Sequence, residues 1–188
     1  MEKPLSGDKG SLGRSFTENL LIALGYWAVS HINFILFKSV GVLPMPVWPA
    51  AALAFLAAFY RGMAGAPGIA LGTVLANHLS LGGPLNYALC IAVMNTLGPV
   101  WGAALMRSRV SRNIRISGSG DIWICVLAGL VLTPMLTALG GIGFKWALGL
   151  IPKEAVLSAW GKWALAHCLG TLFFAVPVFA WIRERKSL

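Results

Sequence analysis

The chain has 188 residues, of which 57% are hydrophobic and only 11% carry a charge. A soluble domain carries roughly 25% charged residues, so this composition excludes an ordinary soluble enzyme and indicates a protein built for lipid. The net charge of +9 would suit a nucleic-acid-binding protein, but the charges lie between apolar runs, and we expect no nucleic-acid partner.

Six apolar runs follow one another along the chain. The hydrocarbon core of a bilayer is about 30 Å thick and needs about 20 apolar residues per helix. We therefore predict an all-α integral membrane protein, a polytopic bundle of six transmembrane helices. The second run carries three prolines near its start, which fit the beginning of a helix better than its interior. The runs cover residues 16–37, 43–60, 63–79, 84–106, 122–144 and 155–182.

The distribution of charge predicts the orientation. Eleven of the 15 Lys and Arg residues fall in segments on the side of the N-terminus, and four fall on the other side. By the positive-inside rule, both chain ends are then cytoplasmic. We assign residues 1–15 to a cytoplasmic tail, 16–182 to the transmembrane domain and 183–188 to a basic cytoplasmic stub. No carboxylate lies in mid-membrane, which disfavours a proton-coupled pump.

Small residues recur at intervals of four inside several runs. Such spacing lets helix backbones approach closely, which drives helix association in lipid. We predict close helix–helix contacts there, the alternative being the general richness of membrane helices in Gly and Ala. The residues are Ala50, Ala54 and Ala58, then Gly68, Gly72 and Ala76, then Gly98 and Gly102, and finally Gly129, Thr133, Thr137 and Gly141.

Three histidines lie toward the predicted outer side of the membrane. His31 is in the outer half of the first run, His78 at the outer end of the third, and His167 in the outer third of the sixth. A polar ring inside a membrane span needs a partner. Imidazole suits zinc, copper and nickel, so a three-histidine metal site is one interpretation, although no His-x-x-x-His pair supports it. The sequence does not identify a cofactor.

Further polar residues lie at similar depth, while the inner halves of the runs are more uniformly apolar. Together with the histidines they predict a shallow ligand-binding cavity, open to the periplasm, for a small polar or anionic ligand. The alternatives are that the tryptophans anchor at the interface and that the lysines extend to it. The residues added to the predicted site are Asn77, Asn95, Lys145 and Trp163.

Four stretches resemble the membrane-associated sensor domains of the first type, the bacterial integral-membrane input domains found ahead of diguanylate cyclases and histidine kinases. Residues 47–54, VWPAAALA, are similar to the opening of that family's second span. The other three are 67–77 (PGIALGTVLAN), 92–107 (AVMNTLGPVWGAALMR) and 163–170 (WALAHCLG) followed by Pro177 and Trp181. Each motif is weak alone, but the four occur in the family's order.

The resemblance implies a membrane-embedded sensor in a bacterial inner membrane that detects a small ligand or a membrane state from the periplasmic side. Its expected partners are the lipid bilayer and a cytoplasmic histidine kinase or cyclic-di-GMP module, and a homodimer stays open. The chain departs from the family at Gly98, Ala166 and His167, where the family has acidic residues or a GD pair. It also lacks a GGDEF sequence and a kinase-type glycine-rich motif, so we expect either a stand-alone subunit or a shortened product.

Two other functions stay open at this point. The chain could be a six-span solute-binding component of a transporter, or a structural subunit of a membrane complex that binds no ligand. An enzyme is not expected, because the sequence offers no paired carboxylates, no nucleophile with a base at recognisable spacing and no phosphate-binding glycine loop.

Overall fold

The computed structural model describes residues 9–42, 44–111 and 118–185, and within these ranges every regular element is helical. Five helical stretches are long and apolar enough to cross a membrane, which confirms the predicted all-α membrane class. Predictions that concern Leu43, the tail at 1–8, the basic segment at 112–117 and the stub at 186–188 lie outside the described residues. The stretches are Gly13–Ser39, Ala50–Ser80, Leu85–Arg107, Ser119–Ala147 and Lys153–Arg185.

We number the α-helices in chain order. Three π-helical segments extend or join them: Ala76–Ser80 follows α3, Val126–Leu132 joins α5 to α6, and Thr171–Ala175 joins α7 to α8. The α-helices are α1 (Lys9–Ser39), α2 (Ala50–Arg61), α3 (Ala66–Leu75), α4 (Leu85–Arg107), α5 (Ser119–Cys125), α6 (Thr133–Ala147), α7 (Val156–Gly170) and α8 (Val176–Arg185).

Helix α2 runs antiparallel to α1. At one end Arg61 forms an ion pair with Glu18, and at the other end Asn33 donates a hydrogen bond to the carbonyl oxygen of Val47 at 3.0 Å. The helix begins after Pro49, so the prolines of the second run do lie before a helix start, as predicted. Its 12 residues span about 18 Å, which is less than the thickness of the hydrocarbon core.

The chain reverses between α2 and α3 at Gly62. Its φ of 59° and ψ of −138° break the helix in a conformation that favours glycine. Helix α3 then runs parallel to α1, because the Gly68 N–H donates to Asn19 at 2.8 Å and His31 lies 3.0 Å from Ser80 at the far end. The stretch Ala50–Ser80 therefore consists of two antiparallel segments.

The remaining helices continue this alternation. Helix α4 returns toward the α2–α3 reversal, where Arg107 donates hydrogen bonds to the carbonyl oxygens of Ala58 and, at 2.8 Å, Phe59. The Ala58 carbonyl also accepts from the Gly62 backbone N–H, so Arg107 adds a further donor at the end of α2, where helix carbonyls run short of partners. The α5–α6 stretch packs antiparallel to α4, and the α7–α8 stretch then returns along α2.

One proline in the fifth predicted span and one in the sixth lie just after π-helical segments. Pro134 is the second residue after Val126–Leu132, and Pro177 is the second residue after Thr171–Ala175. Proline lacks an N–H and its ring clashes with the carbonyl four residues earlier, and a wider turn relieves both problems. Pro99, by contrast, lies inside the continuous helix α4.

Close helix contacts do occur at the predicted small residues. A Cβ atom at Gly68 would lie 2.6 Å from the carbonyl oxygen of Asn19, and one at Gly102 would lie 2.7 Å from that of Ala128. These distances leave no room for a side chain, so the backbones of α3 and α1, and of α4 and the α5–α6 stretch, pack directly. The prediction of helix–helix contacts is confirmed at these positions.

Aromatic side chains join α2 to α8. The ring of Phe179 on α8 packs edge-on against Phe55 and Phe59 on α2, with centroid distances of 6.3 and 5.1 Å. All three side chains are buried. Helix α8 is thus held against the end of α2 that leads into the reversal.

Candidate functional site

A tyrosine hydroxyl links three parts of the bundle. Tyr26 on α1 is 1% exposed, and its hydroxyl oxygen accepts hydrogen bonds from Trp48 Nε1 and from Asn95 Nδ2, both at 3.3 Å. Trp48 lies just before α2, and Asn95 lies in the middle of α4. In a bilayer such bonds are the main way for polar groups to avoid a large desolvation cost.

His167 on α7 continues this connection. Its ring is stacked between Trp163, at a centroid distance of 5.4 Å, and Trp48, at 6.3 Å. The segment before α2 is fixed to the same helix, because the Trp48 N–H donates to the carbonyl oxygen of Ala166 at 2.9 Å. Gly170 lies directly beneath Trp48, and a Cβ there would overlap the Trp48 carbonyl.

The hydrogen bond of His167 fixes its tautomer. Nδ1 lies 3.1 Å from the carbonyl oxygen of Trp163, which can only accept, so Nδ1 carries the proton of the neutral ring. Nε2 is then a hydrogen-bond acceptor. It is buried and has no partner among the described residues, and the same holds for Asn95 Oδ1. The site is thus short of hydrogen-bond donors at two points, and the buried Nε1 of Trp163, a donor, has no acceptor among the described residues.

Lys145 lies at the edge of this group. Its Nζ is 5.4 Å from the ring centroids of both Tyr87 and Trp163, within the range of cation–π attraction. The structure therefore connects four of the seven predicted site residues, Asn95, Lys145, Trp163 and His167, through Tyr26 and Trp48. We call these six residues the polar core.

The other three predicted residues lie apart from the polar core, around the end of α3. His31 Nδ1 is 3.0 Å from the Ser80 hydroxyl, and Asn77 donates to the carbonyl oxygen of Thr73 at 2.9 Å. His78 Nδ1 lies 2.9 Å from the carbonyl oxygen of Gly83.

The three histidines of the predicted metal site are not grouped around one point in the part of the chain that the structure describes. Each histidine lies on a different helical segment and has a different hydrogen-bond partner. Within the described ranges no three His, Cys, Asp or Glu side chains are grouped as metal ligands would be. A cavity of about 730 Å³ does exist between α1, α2 and α8, but it is mostly apolar and none of the predicted site residues lines it.

Sequence reasoning missed Tyr26 and Ser80 as site residues, and it used Trp48 only as part of a motif. Tyr26 stands in a long apolar run, where a single hydroxyl gives no periodic signal. One general rule could have pointed to both Tyr26 and Trp48. A tyrosine or a tryptophan inside a membrane bundle needs a hydrogen-bond partner for the polar end of its side chain.

The family model of MASE1 matches residues 19–188. This match covers most of the chain and includes all six residues of the polar core. Neither the comparison with curated proteins nor that with solved structures gave a match.

Proposed function

The chain belongs to MASE1, a family of membrane-associated sensor domains, and on that premise we propose that it is a signal-input domain. It detects a small polar ligand from the periplasmic side and regulates a cytoplasmic histidine kinase or cyclic-di-GMP module. It performs no catalysis itself. The membrane is the bacterial inner membrane, and the protein crosses it several times.

We assign six membrane segments to the chain, with both ends cytoplasmic. The excess of basic residues on the side of the N-terminus supports this orientation. The alternating direction of α1, α2, α3, α4, α5–α6 and α7–α8 supports the number of segments. Within it, α2 and α3 form a pair of short segments that share one reversal at Gly62.

The unpartnered Nε2 of His167 is the observation that carries the ligand proposal. A buried acceptor without a donor costs roughly 1–3 kcal/mol, and a ligand that supplies an O–H or N–H group recovers much of that cost. Asn95 Oδ1 offers a second acceptor in the same polar core. The proposed ligand is small and carries hydrogen-bond donors for these two atoms, together with an acceptor for the unpartnered Nε1 of Trp163.

The signal leaves the site through α2. Trp48, which stacks on His167, stands directly before α2, and Phe55 and Phe59 at the other end of that helix contact Phe179 on α8. A ligand shifts the equilibrium only by its difference in affinity for two packings. A change in the Trp48–His167 stack is such a difference, and α8 leads to the basic residues Arg183 and Arg185 at the cytoplasmic face.

A reporter fusion tests this function. A diguanylate cyclase or histidine kinase module is fused after Leu188, and its output is measured in cells and in vesicles exposed to periplasmic extracts. We expect His167→Ala and Asn95→Ala to change the output. His78→Ala is the matched control, because that histidine lies outside the polar core and its hydrogen bond goes to the backbone carbonyl of Gly83. Output that stays the same in His167→Ala with every extract would contradict the proposal.

A further inference from the structure

The cavity of about 730 Å³ is a groove on the outside of α2. Ala52, Leu53 and Leu56 of α2 line it together with Leu21 on α1, and Phe174 and Val178 line it on the α7–α8 side. It runs along α1 from Glu18 to Val29, which is about 16 Å at 1.5 Å per residue. Half of a hydrocarbon core of about 30 Å is about 15 Å, so the groove is as long as one leaflet is deep.

The groove changes from apolar to charged at one end. Glu18 and Arg61 line that end and form an ion pair, and Arg14 binds the same carboxylate at 3.1 Å. Two guanidinium groups thus share one carboxylate, which leaves a positive charge. The Arg14 side chain is 81% exposed and that of Arg61 is 34% exposed. Arg61 Nε has no hydrogen-bond partner among the described residues.

We propose that this groove binds an anionic phospholipid of the leaflet nearest the chain ends. One acyl chain lies along α2 between α1 and α8, and the phosphate contacts Arg61 and Arg14. The apolar walls match the acyl chain, the length matches the leaflet, and the excess positive charge matches the headgroup. This site is separate from the polar core and does not depend on the ligand proposed for it.

The lipid would also contact the helix that leads out of the membrane. Phe174 belongs to the π-helical segment Thr171–Ala175, and Val178 belongs to α8. Both residues form the groove wall opposite α1. A lipid in the groove would therefore fix the distance between α1 and α8. The lipid composition of that leaflet would then influence the position of α8, in addition to the ligand at the polar core.

Native mass spectrometry of the full chain tests the proposal with two lipids, phosphatidylglycerol and phosphatidylcholine. We expect the wild-type protein to retain phosphatidylglycerol in preference to phosphatidylcholine. A basic residue near an anionic headgroup contributes about a fivefold change in affinity, so Arg61→Gln should lower phosphatidylglycerol retention by about that factor. Arg109→Gln, which removes a charge from the same end of the bundle but outside the groove, should leave retention unchanged.

A second pair of variants tests the groove itself. Ala57→Phe fills the groove and should lower the retention of both lipids, whereas Ala104→Phe adds the same group on the exposed face of α4 and should not. This pair decides the question if Arg61→Gln fails to fold. Equal retention of the two lipids by the wild-type protein would overturn the proposal. So would unchanged retention in Ala57→Phe, or a dimer that Ala57→Phe dissociates, since a second copy would then fill the groove.

Discussion

A single methyl group at Gly170 tests the contact that joins α7 to the segment before α2. In Gly170→Ala, the new Cβ would overlap the carbonyl oxygen of Trp48 and lie 2.6 Å from its carbonyl carbon. Carbon atoms in contact lie at least about 3.5 Å apart, so the two backbones must separate by about 1 Å. The hydrogen bond from the Trp48 N–H to Ala166, now 2.9 Å long, would then be lost.

The cost combines these two effects. Forcing an extra carbon into a packed contact costs about 1–3 kcal/mol, and the lost hydrogen bond adds about 0.5–1.5 kcal/mol. We expect the free energy of unfolding of Gly170→Ala to fall by about 1.5–4.5 kcal/mol, measured by denaturant titration in detergent micelles with circular dichroism. The reporter fusion should change its output as well, because Trp48 moves relative to His167.

Gly161→Ala is the matched control on the same helix. A Cβ at Gly161 meets nothing within 4 Å. Since alanine is favoured over glycine inside a helix by about 0.5–1 kcal/mol, this variant should be as stable as the wild-type protein or slightly more so. If Gly170→Ala is no less stable than Gly161→Ala, the close contact between α7 and Trp48 does not exist and the proposed route through α2 fails.

Three further variants test other contacts by the same titration. Arg107→Ala removes charged hydrogen bonds to the end of α2 and should lower the free energy of unfolding by at least about 1.5 kcal/mol. Arg109→Ala is its control and should stay within about 0.5 kcal/mol of wild type. Equal effects of the two variants would refute the role of Arg107. Tyr26→Phe should cost at least about 1 kcal/mol because two buried donors lose their acceptor, and no loss would show that they have another. Gly102→Ala should lower the free energy of unfolding by about 1–3 kcal/mol, because a Cβ there meets neighbouring atoms. Gly143→Ala is its control, since a Cβ there meets nothing within 4 Å, and it should not be destabilised. If both variants were as stable as the wild-type protein, direct packing of α4 would be contradicted.

The sequence was sufficient for the helical membrane class and for several helix contacts. Apolar run length depends only on local composition, and small residues at intervals of four mark a face wherever the helix is regular. Gly68 and Gly102 therefore lie against neighbouring backbones, as predicted. Trp163 and His167 also share one face, because both precede the π-helical segment and belong to one regular helix.

The arrangement of the polar residues was beyond the sequence. Depth in the membrane can be read from position in a run, but the direction in which a side chain points also depends on how each helix is rotated. His31, His78 and His167 lie on three different helices and face three different partners. A π-helical turn adds one residue and so rotates the rest of the helix by about 100°, which is invisible in the apolar pattern. Phe179 faces α2 beyond such a segment.

The reversal at Gly62 also has a consequence for how the chain is inserted during synthesis. Helix α2 and the α3 segment are each too short to be stable across the bilayer alone, so we expect them to leave the insertion machinery together, as a hairpin. The hydrogen bonds that Arg107 donates to the end of α2 can form only after Arg107 has been synthesised, 45 residues after Gly62. We therefore expect the part of the bundle from α1 to α4 to fold as one cooperative unit rather than one helix at a time.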